Sequence, residues 1–339
     1  MNTVGPAPGT LLHARHPREV LRDAQAACAT LPVCDHYCGV ETRMRKSLTL
    51  QAEMAQEFGA CVFDVTLDCE DGAPVGGEAE HAALVSELAL SAAPGMRVGV
   101  RVHPVDHPHF GDDVQTIARR AGQRLSHVMV PKVESVADIR QAAAVLDAAG
   151  APGLPLHALI ESPRAVHNAF EIAAHPRVQS LSFGLMDFVS AHAGAIPAQG
   201  MAANGQFTHP LVVRAKLEIA SAAHAHGKVP SHSVVTEFKD LAVIRQAARH
   251  AAHDFGYTRM WSIHPNQIRP ILEAFAPDER QIATAVDILL AGASVDWAPV
   301  SHHSTLHDRA SYRLFWQVLE RAHATGRPLP VPIQAWFAA

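Results

Sequence analysis

Short apolar or β-branched runs alternate with helix-patterned stretches through most of the chain, and this rhythm constrains the fold more than any single motif. The runs are SLTL (47–50), ACVFDVTLD (60–68), RVGVRV (97–102), HVMVP (127–131), LHALIE (156–161), VQSLSFG (178–184), KVPSHS (228–233) and RMWSIH (259–264). Strands separated by helices need long crossovers and build a parallel sheet. Eight such units suit closure into a (β/α)8 TIM barrel, with an open doubly wound sheet as the alternative. Local signals agree: Ser135 opens a helix that Gly150 closes, and Gly227 closes another.

The barrel is expected over residues 45–291. Residues 1–44 read as an N-terminal extension, Pro/Gly-rich at first and then helical around Glu19 to Ala29. Residues 292–339 read as a C-terminal helical extension whose aromatic stripe (Tyr312, Phe315, Trp316) packs on the barrel or a neighbouring subunit, or closes a neighbour's site as a lid.

Active sites of such barrels lie at the C-terminal strand ends, and the polar residues gather there. Strand two ends in Asp68, Glu70 and Asp71, strand three in Arg101, strand four in Lys132, strand five in Glu161 and strand eight in His264; Asp187 follows strand six. Glu161 and Asp187 therefore emerge side by side from neighbouring strands. Such a carboxylate pair suits a hard dication, Mg²⁺ or Mn²⁺, which leaves positions open to substrate and water. The residues alone also admit a Glu161–Arg164 ion pair with Asp187 as a helix cap, and an Arg101 that only pairs with Asp68 or Glu70. Lys132 and His264 are placed to meet substrate. A Schiff-base role for Lys132 needs a depressed pKa, which so many nearby acids oppose.

Composition removes other function classes. The net charge of -5 without a long Lys/Arg cluster argues against nucleic-acid binding. No run reaches the length of a bilayer span and the N-terminus lacks a basic-then-apolar leader, so a cytoplasmic protein with small-molecule partners is expected. Five cysteines fit reduced thiols. Cys34, His36 and Cys38 match no standard zinc spacing. Most of the 23 histidines, such as His224, His226, His250 and His253, lie on Ala-rich helical stretches.

Seven ordered motifs, RKSL (45–48), LDCEDGAP (67–74), VRVHP (100–104), VPKVES (130–135), ALIESPRAV (158–166), SFGLMDF (182–188) and FGYTRMWSIHPNQI (255–268), carry a resemblance. The sequence resembles the HpcH/HpaI aldolase and citrate lyase β-subunit family, in its citrate-lyase-like, malyl-CoA-lyase-like branch. The resemblance implies that Glu161 and Asp187 bind Mg²⁺, that Arg101 binds a substrate carboxylate or carbonyl oxygen, and that Glu70 and Asp71 organise metal-bound water. It implies carbon–carbon cleavage of a keto/hydroxy acid or acyl-CoA, with a CoA thioester as one candidate substrate, in a homo-oligomer (trimer or hexamer). A malyl-CoA-type thioesterase and a carrier-dependent, non-catalytic subunit of a lyase complex are the alternatives. Two stretches depart from the family pattern. SLTL runs on without a Val-Pro-Gly loop, and KVPSHSVVTEFKD carries Ser231, His232 and Ser233 where the family often has an Asp and a Gly- or Pro-containing loop. Arg43, Arg45 and Lys46 remain candidates for CoA phosphates.

Overall fold

The computed structural model describes residues 15–21 and 31–338. Eight parallel strands close into a barrel: β1 (Cys34–Cys38), β2 (Phe63–Asp68), β3 (Val98–Arg101), β4 (His127–Val130), β5 (Leu156–Ile160), β6 (Val178–Phe183), β7 (Val229–His232) and β8 (Arg259–Ser262). Closure is made by β8 on β1, with Asp35 opposite Trp261. The (β/α)8 expectation holds.

The first strand is not where the sequence suggested. SLTL lies inside the helix Glu41–Phe58, and β1 is CDHYC, upstream of residue 45. Alternation explains why so polar a segment is a strand. Cys34 and Cys38 face the helical layer and join its apolar core, whereas Asp35 points inward, where Arg259 Nη2 lies 2.9 Å from its carboxylate. Asp35 finds its partner inside the barrel and His36 bonds Ser262 on the outer side, so no apolar run announces the strand.

The barrel belongs to a compact unit spanning 31–275, so both expected limits move: it starts before 45, and the helix Glu279–Ser294 falls outside it. The described N-terminal residues and the chain from Ala276 onward form a second unit. There Tyr312 and Trp316 of the helix Arg309–Ala324 are buried with Leu21, Leu289, Trp297 and Ile333. The expected helix at 19–29 is described only as Pro17–Leu21; the rest lies outside the described residues.

Inward-facing side chains stack in storeys along the barrel axis. At the N-terminal end are Asp35, Asp64, His127, His157 and Arg259, all buried. Above them Met129, Leu159 and Trp261 form an apolar deck with Tyr37 against it. Beyond the deck, at the C-terminal mouth, come Asp68, Arg101 and Glu161. The helix Val136–Ala148 is held at both ends of the barrel: Ser135 and Asp138 form a reciprocal cap at the mouth, and Gly150, at φ 89°, follows its far end before β5. Among the described residues, no helix is long and apolar enough to cross a membrane.

Candidate active site

Arg101, the last residue of β3, organises the mouth. Its Nε and Nη2 donate to the two oxygens of Asp68 at 2.7 and 2.5 Å, and Nη1 lies 2.9 Å from Glu70 Oε2. Asp68 and Arg101 are register partners on adjacent strands, so the sheet itself sets this fork. Asp68 also accepts from the N–H groups of Glu70 (3.0 Å) and Gly72 (2.8 Å), which folds the turn after β2 around its carboxylate. A Cβ at Gly72 would sit 2.3 Å from Asp68 Oδ2, so only glycine fits there. Tyr37 and Trp261 wall the guanidinium, with centroids 5.0 and 5.9 Å from Cζ. Burial disfavours the charge on Arg101, but Asp68 and Glu70 outweigh it and keep the group firmly cationic. An arginine carries five N–H donors; two are hydrogen-bonded to Asp68 here, and Nη1 meets Glu70 Oε2 as an ion pair without a hydrogen bond.

Lys132 links this cluster to the next. Its Nζ donates to Glu70 Oε1 at 2.6 Å and lies 3.7 Å from the mostly exposed Asp71. Its backbone is left-handed, at φ 51°, and its N–H donates to Glu161 Oε1 at 2.6 Å. Partial burial works against the ammonium, yet the hydrogen bond and charge of Glu70 raise its pKa overall. A lysine held protonated is a poor Schiff-base nucleophile.

Glu161 is the first residue past β5 and is 4% exposed. Burial, and then the charge of Asp187, push its carboxyl up to about 8, against the pull of the Lys132 amide. Asp187 sits in the first turn of the helix Leu185–Ser190 after β6. Gly184 brings that segment close: a Cβ there would lie 2.4 Å from Glu161 Oε2. Among the described residues, neither Glu161 nor Asp187 is ion-paired to a Lys or Arg, and the alternative Glu161–Arg164 pair is not formed. Asp68 and Glu70 have cations, while Glu161 and Asp187 have each other. Two neighbouring carboxylates that raise each other's cost of ionisation and have no Lys or Arg ion pair fit a dication with oxygen ligands.

Glu70, Asp71, Arg101, Lys132 and Glu161 thus form one connected group, with Asp187 beside Glu161. His264 takes a different position. Its ring stacks on Phe238 at 4.9 Å and its Nδ1 accepts from Asn266 N–H at 3.2 Å, at the β8 side. The Ser231–Ser233 stretch also turns inward to the fold: Ser231 and His232 are buried, and Ser233 Oγ donates to Gln206 Oε1 at 3.2 Å. The Arg101 pairing with Asp68 or Glu70 that the sequence admitted is formed with both acids, while Tyr37 and Trp261 were missed. The signal for Asp68 was its place two residues before Glu70 on a strand adjoining that of Arg101.

The family model described as HpcH/HpaI aldolase/citrate lyase matches residues 47–265. The chain belongs to this family. Among curated relatives, a citrate lyase subunit beta-like protein of Deinococcus radiodurans is 33% identical over 68% of this chain and 78% of its own length. An L-malyl-CoA/beta-methylmalyl-CoA lyase of Cereibacter sphaeroides is 30% identical over 70% of this chain and 79% of its own. A solved citrate lyase from Burkholderia xenovorans LB400 is 50% identical, with a TM-score of 0.80 over 96% of this chain and 100% of that one. This HpcH/HpaI-family chain is therefore a lyase of the citrate lyase and malyl-CoA lyase kind, and the acidic mouth of its barrel is where that chemistry has its candidate groups.

Proposed function

We propose that the protein is a Mg²⁺-dependent carbon–carbon lyase that cleaves a 3-hydroxyacyl thioester or a hydroxy-keto acid into a small keto acid and an acetyl-CoA-like product. One observation carries this reading. The pair Glu161 and Asp187, ion-paired to no Lys or Arg among the described residues, stands beside an arginine whose Nη1 makes no hydrogen bond. Glu161 and Asp187 would hold the ion, which when bound supplies Lewis-acid stabilisation where negative charge develops next to the cleaved bond. The remaining work falls to the chain. Arg101, fixed by Asp68 and Glu70, offers its remaining N–H groups to the carboxylate or carbonyl oxygen of the keto-acid half, in a planar geometry that lysine cannot copy. Tyr37 and Trp261 restrict water around the guanidinium and so strengthen that contact. Glu70 keeps Arg101 and Lys132 in fixed places, because each of its oxygens faces one cation.

The test is Mg²⁺ calorimetry on the parent, Glu161→Gln and Asp187→Asn, with oxaloacetate, glyoxylate and pyruvate added in turn, followed by product analysis with malyl-CoA. Binding lost in both variants and tightened by one keto acid supports the reading. Equal binding in all three proteins overturns the metal assignment. Free CoA and malate in place of a keto acid and a new thioester would make the enzyme a thioesterase on the same residues.

A further inference from the structure

A second cluster of ligating side chains lies at the opposite end of the barrel. Asp35 (β1), His127 (β4) and His157 (β5) each present a ligand atom, all within 4.8 Å of one another, and all three residues are at most 1% exposed. They belong to the innermost storey, and Met129, Leu159 and Trp261 separate them from the mouth. Nothing in the lyase chemistry uses them.

The hydrogen bonds around the cluster leave two of its atoms, His157 Nδ1 and Asp35 Oδ2, buried without a hydrogen-bond partner among the described residues. His157 Nε2 is 3.1 Å from Gln179 Oε1 and can only donate there, so Nδ1 is the bare nitrogen; it is fully buried and has no hydrogen-bond partner among the described residues. An imidazole oriented through one nitrogen by an oxygen acceptor, with the other left free, is the usual setting of a metal-ligating histidine. Thr66 Oγ1 donates to Asp35 Oδ1 at 2.7 Å and can then only accept from His127 Nε2 at 3.1 Å, while Ser126 Oγ lies 2.9 Å from His127 Nδ1. An ion would therefore replace the Nε2 proton, with the Ser126 hydroxyl holding the other side of the ring. Space for His127 exists because its neighbour across the sheet is Gly99, where a Cβ would lie 2.2 Å from His127 Nε2.

The surrounding charges are balanced before any ion enters. Arg259 lies 2.9 Å from Asp35 and 2.7 Å from Asp64, and Arg97 lies 2.8 Å from Asp64. An ion on Asp35 would have to take that carboxylate from Arg259, which keeps Asp64 and the Pro32 carbonyl. His127 and His157 are stacked at 3.8 Å with planes 10° apart, so His157 must also turn about its side-chain torsions to share an ion with its neighbour. These two requirements favour an ion that binds imidazole strongly over one that prefers water and oxygen.

We propose that Asp35, His127 and His157 form a buried site for a borderline transition dication, Zn²⁺ or Co²⁺, that staples β1 to β4 and β5 across the barrel floor. Two imidazoles and one carboxylate suit these metals and not Mg²⁺, so this site and the mouth differ in metal preference.

The experiment refolds the full-length protein with Zn²⁺ in excess Mg²⁺, removes free metal by dialysis, and measures bound zinc by mass spectrometry and the thermal midpoint by calorimetry. The Co²⁺-loaded protein is read by its visible absorption. The variants are His157→Phe, which keeps the ring stack, Glu161→Gln at the mouth, and His107→Ala in the surface histidine group of His103, His107 and His109. Expected are about one zinc per chain and a raised midpoint in the parent, Glu161→Gln and His107→Ala, with both lost in His157→Phe. Should His157→Phe not fold, the parent decides: retained zinc, together with a Co²⁺ spectrum of four-coordinate nitrogen and oxygen ligation, sustains the site. A parent that retains no zinc and shows no midpoint shift overturns it, as does equal zinc in parent and His157→Phe, or loss of zinc in His107→Ala.

Discussion

The backbone N–H of Lys132 donates to Glu161 Oε1 at 2.6 Å, and Lys132 itself holds a left-handed conformation, φ 51°, that disfavours a side chain. A strained residue that points its amide at a buried carboxylate, while its ammonium holds Glu70, couples the two halves of the mouth through one position. Left-handed backbone costs a non-glycine residue on the order of 1 kcal/mol. Lys132→Gly should therefore unfold at higher urea than Lys132→Ala, by about 1 kcal/mol in the extrapolated free energy. Both variants lose the Glu70 ion pair, so the comparison isolates the backbone; equal stability would remove the strain argument.

Glu161 gives a pH dependence with a definite sign. Its folded carboxyl is pushed up to about 8, from an ordinary value near 4.5, by burial and by Asp187. Between those values the folded state holds a proton that the unfolded state has released. In the metal-free protein this contribution to stability is thus present at acid pH and is lost as pH rises through about 8. A dication must displace that proton. Mg²⁺ affinity should fall about tenfold per pH unit below the carboxyl's pKa. Calorimetry at neutral pH in buffers of different ionisation enthalpy should show close to one proton released per ion, and none in Glu161→Gln.

Arg101 is fixed on three sides by Asp68 and Glu70. Arg101→Lys keeps the charge but not the fork, and kcat/KM should fall on the order of 100-fold or more with little change in the circular dichroism spectrum. Arg101→Met leaves two buried carboxylates without their partner and should cost about 3 kcal/mol or more in urea unfolding. Near-parent activity in Arg101→Lys would take Arg101 out of substrate contact.

Gly184 has an ordinary backbone, φ -92°, so alanine there is not strained by its torsions. Its Cβ would instead press on Glu161, 2.4 Å from Oε2 and 2.5 Å from Cβ. Gly184→Ala should weaken Mg²⁺ binding at least about tenfold and destabilise the fold by about 1–3 kcal/mol through overpacking. Unchanged Mg²⁺ affinity in this variant would mean that the Glu161 carboxylate is free to move and that the tight approach of the loop has no role in holding it.

How far the sequence revealed this structure depended on which side of a strand carried the apolar residues. The strands β2 to β6 read clearly because outward residues such as Val65, Val100, Val128, Ile160 and Leu181 are buried under helices. β1 was hidden because Asp35, His36 and Tyr37 are polar or amphipathic, and the partner that makes Asp35 tolerable, Arg259, lies at the other end of the barrel sequence. The mouth was legible where residues sit at strand ends, as Glu161, Arg101 and Lys132 do. The aromatic walls were not, since Tyr37 depends on β1 and Trp261 on a register between the first and last strands. His264 has the same strand-end position as the others, and only packing against Phe238 tells it apart.

The deck of Met129, Leu159 and Trp261 sets an apolar layer between the two polar storeys of the barrel interior. Charge can be added or removed at the mouth without disturbing the ionic balance among Asp35, Asp64, Arg97 and Arg259 below it. Such insulation lets substrate preference drift by substitution above the deck while the part of the molecule that closes the barrel stays fixed.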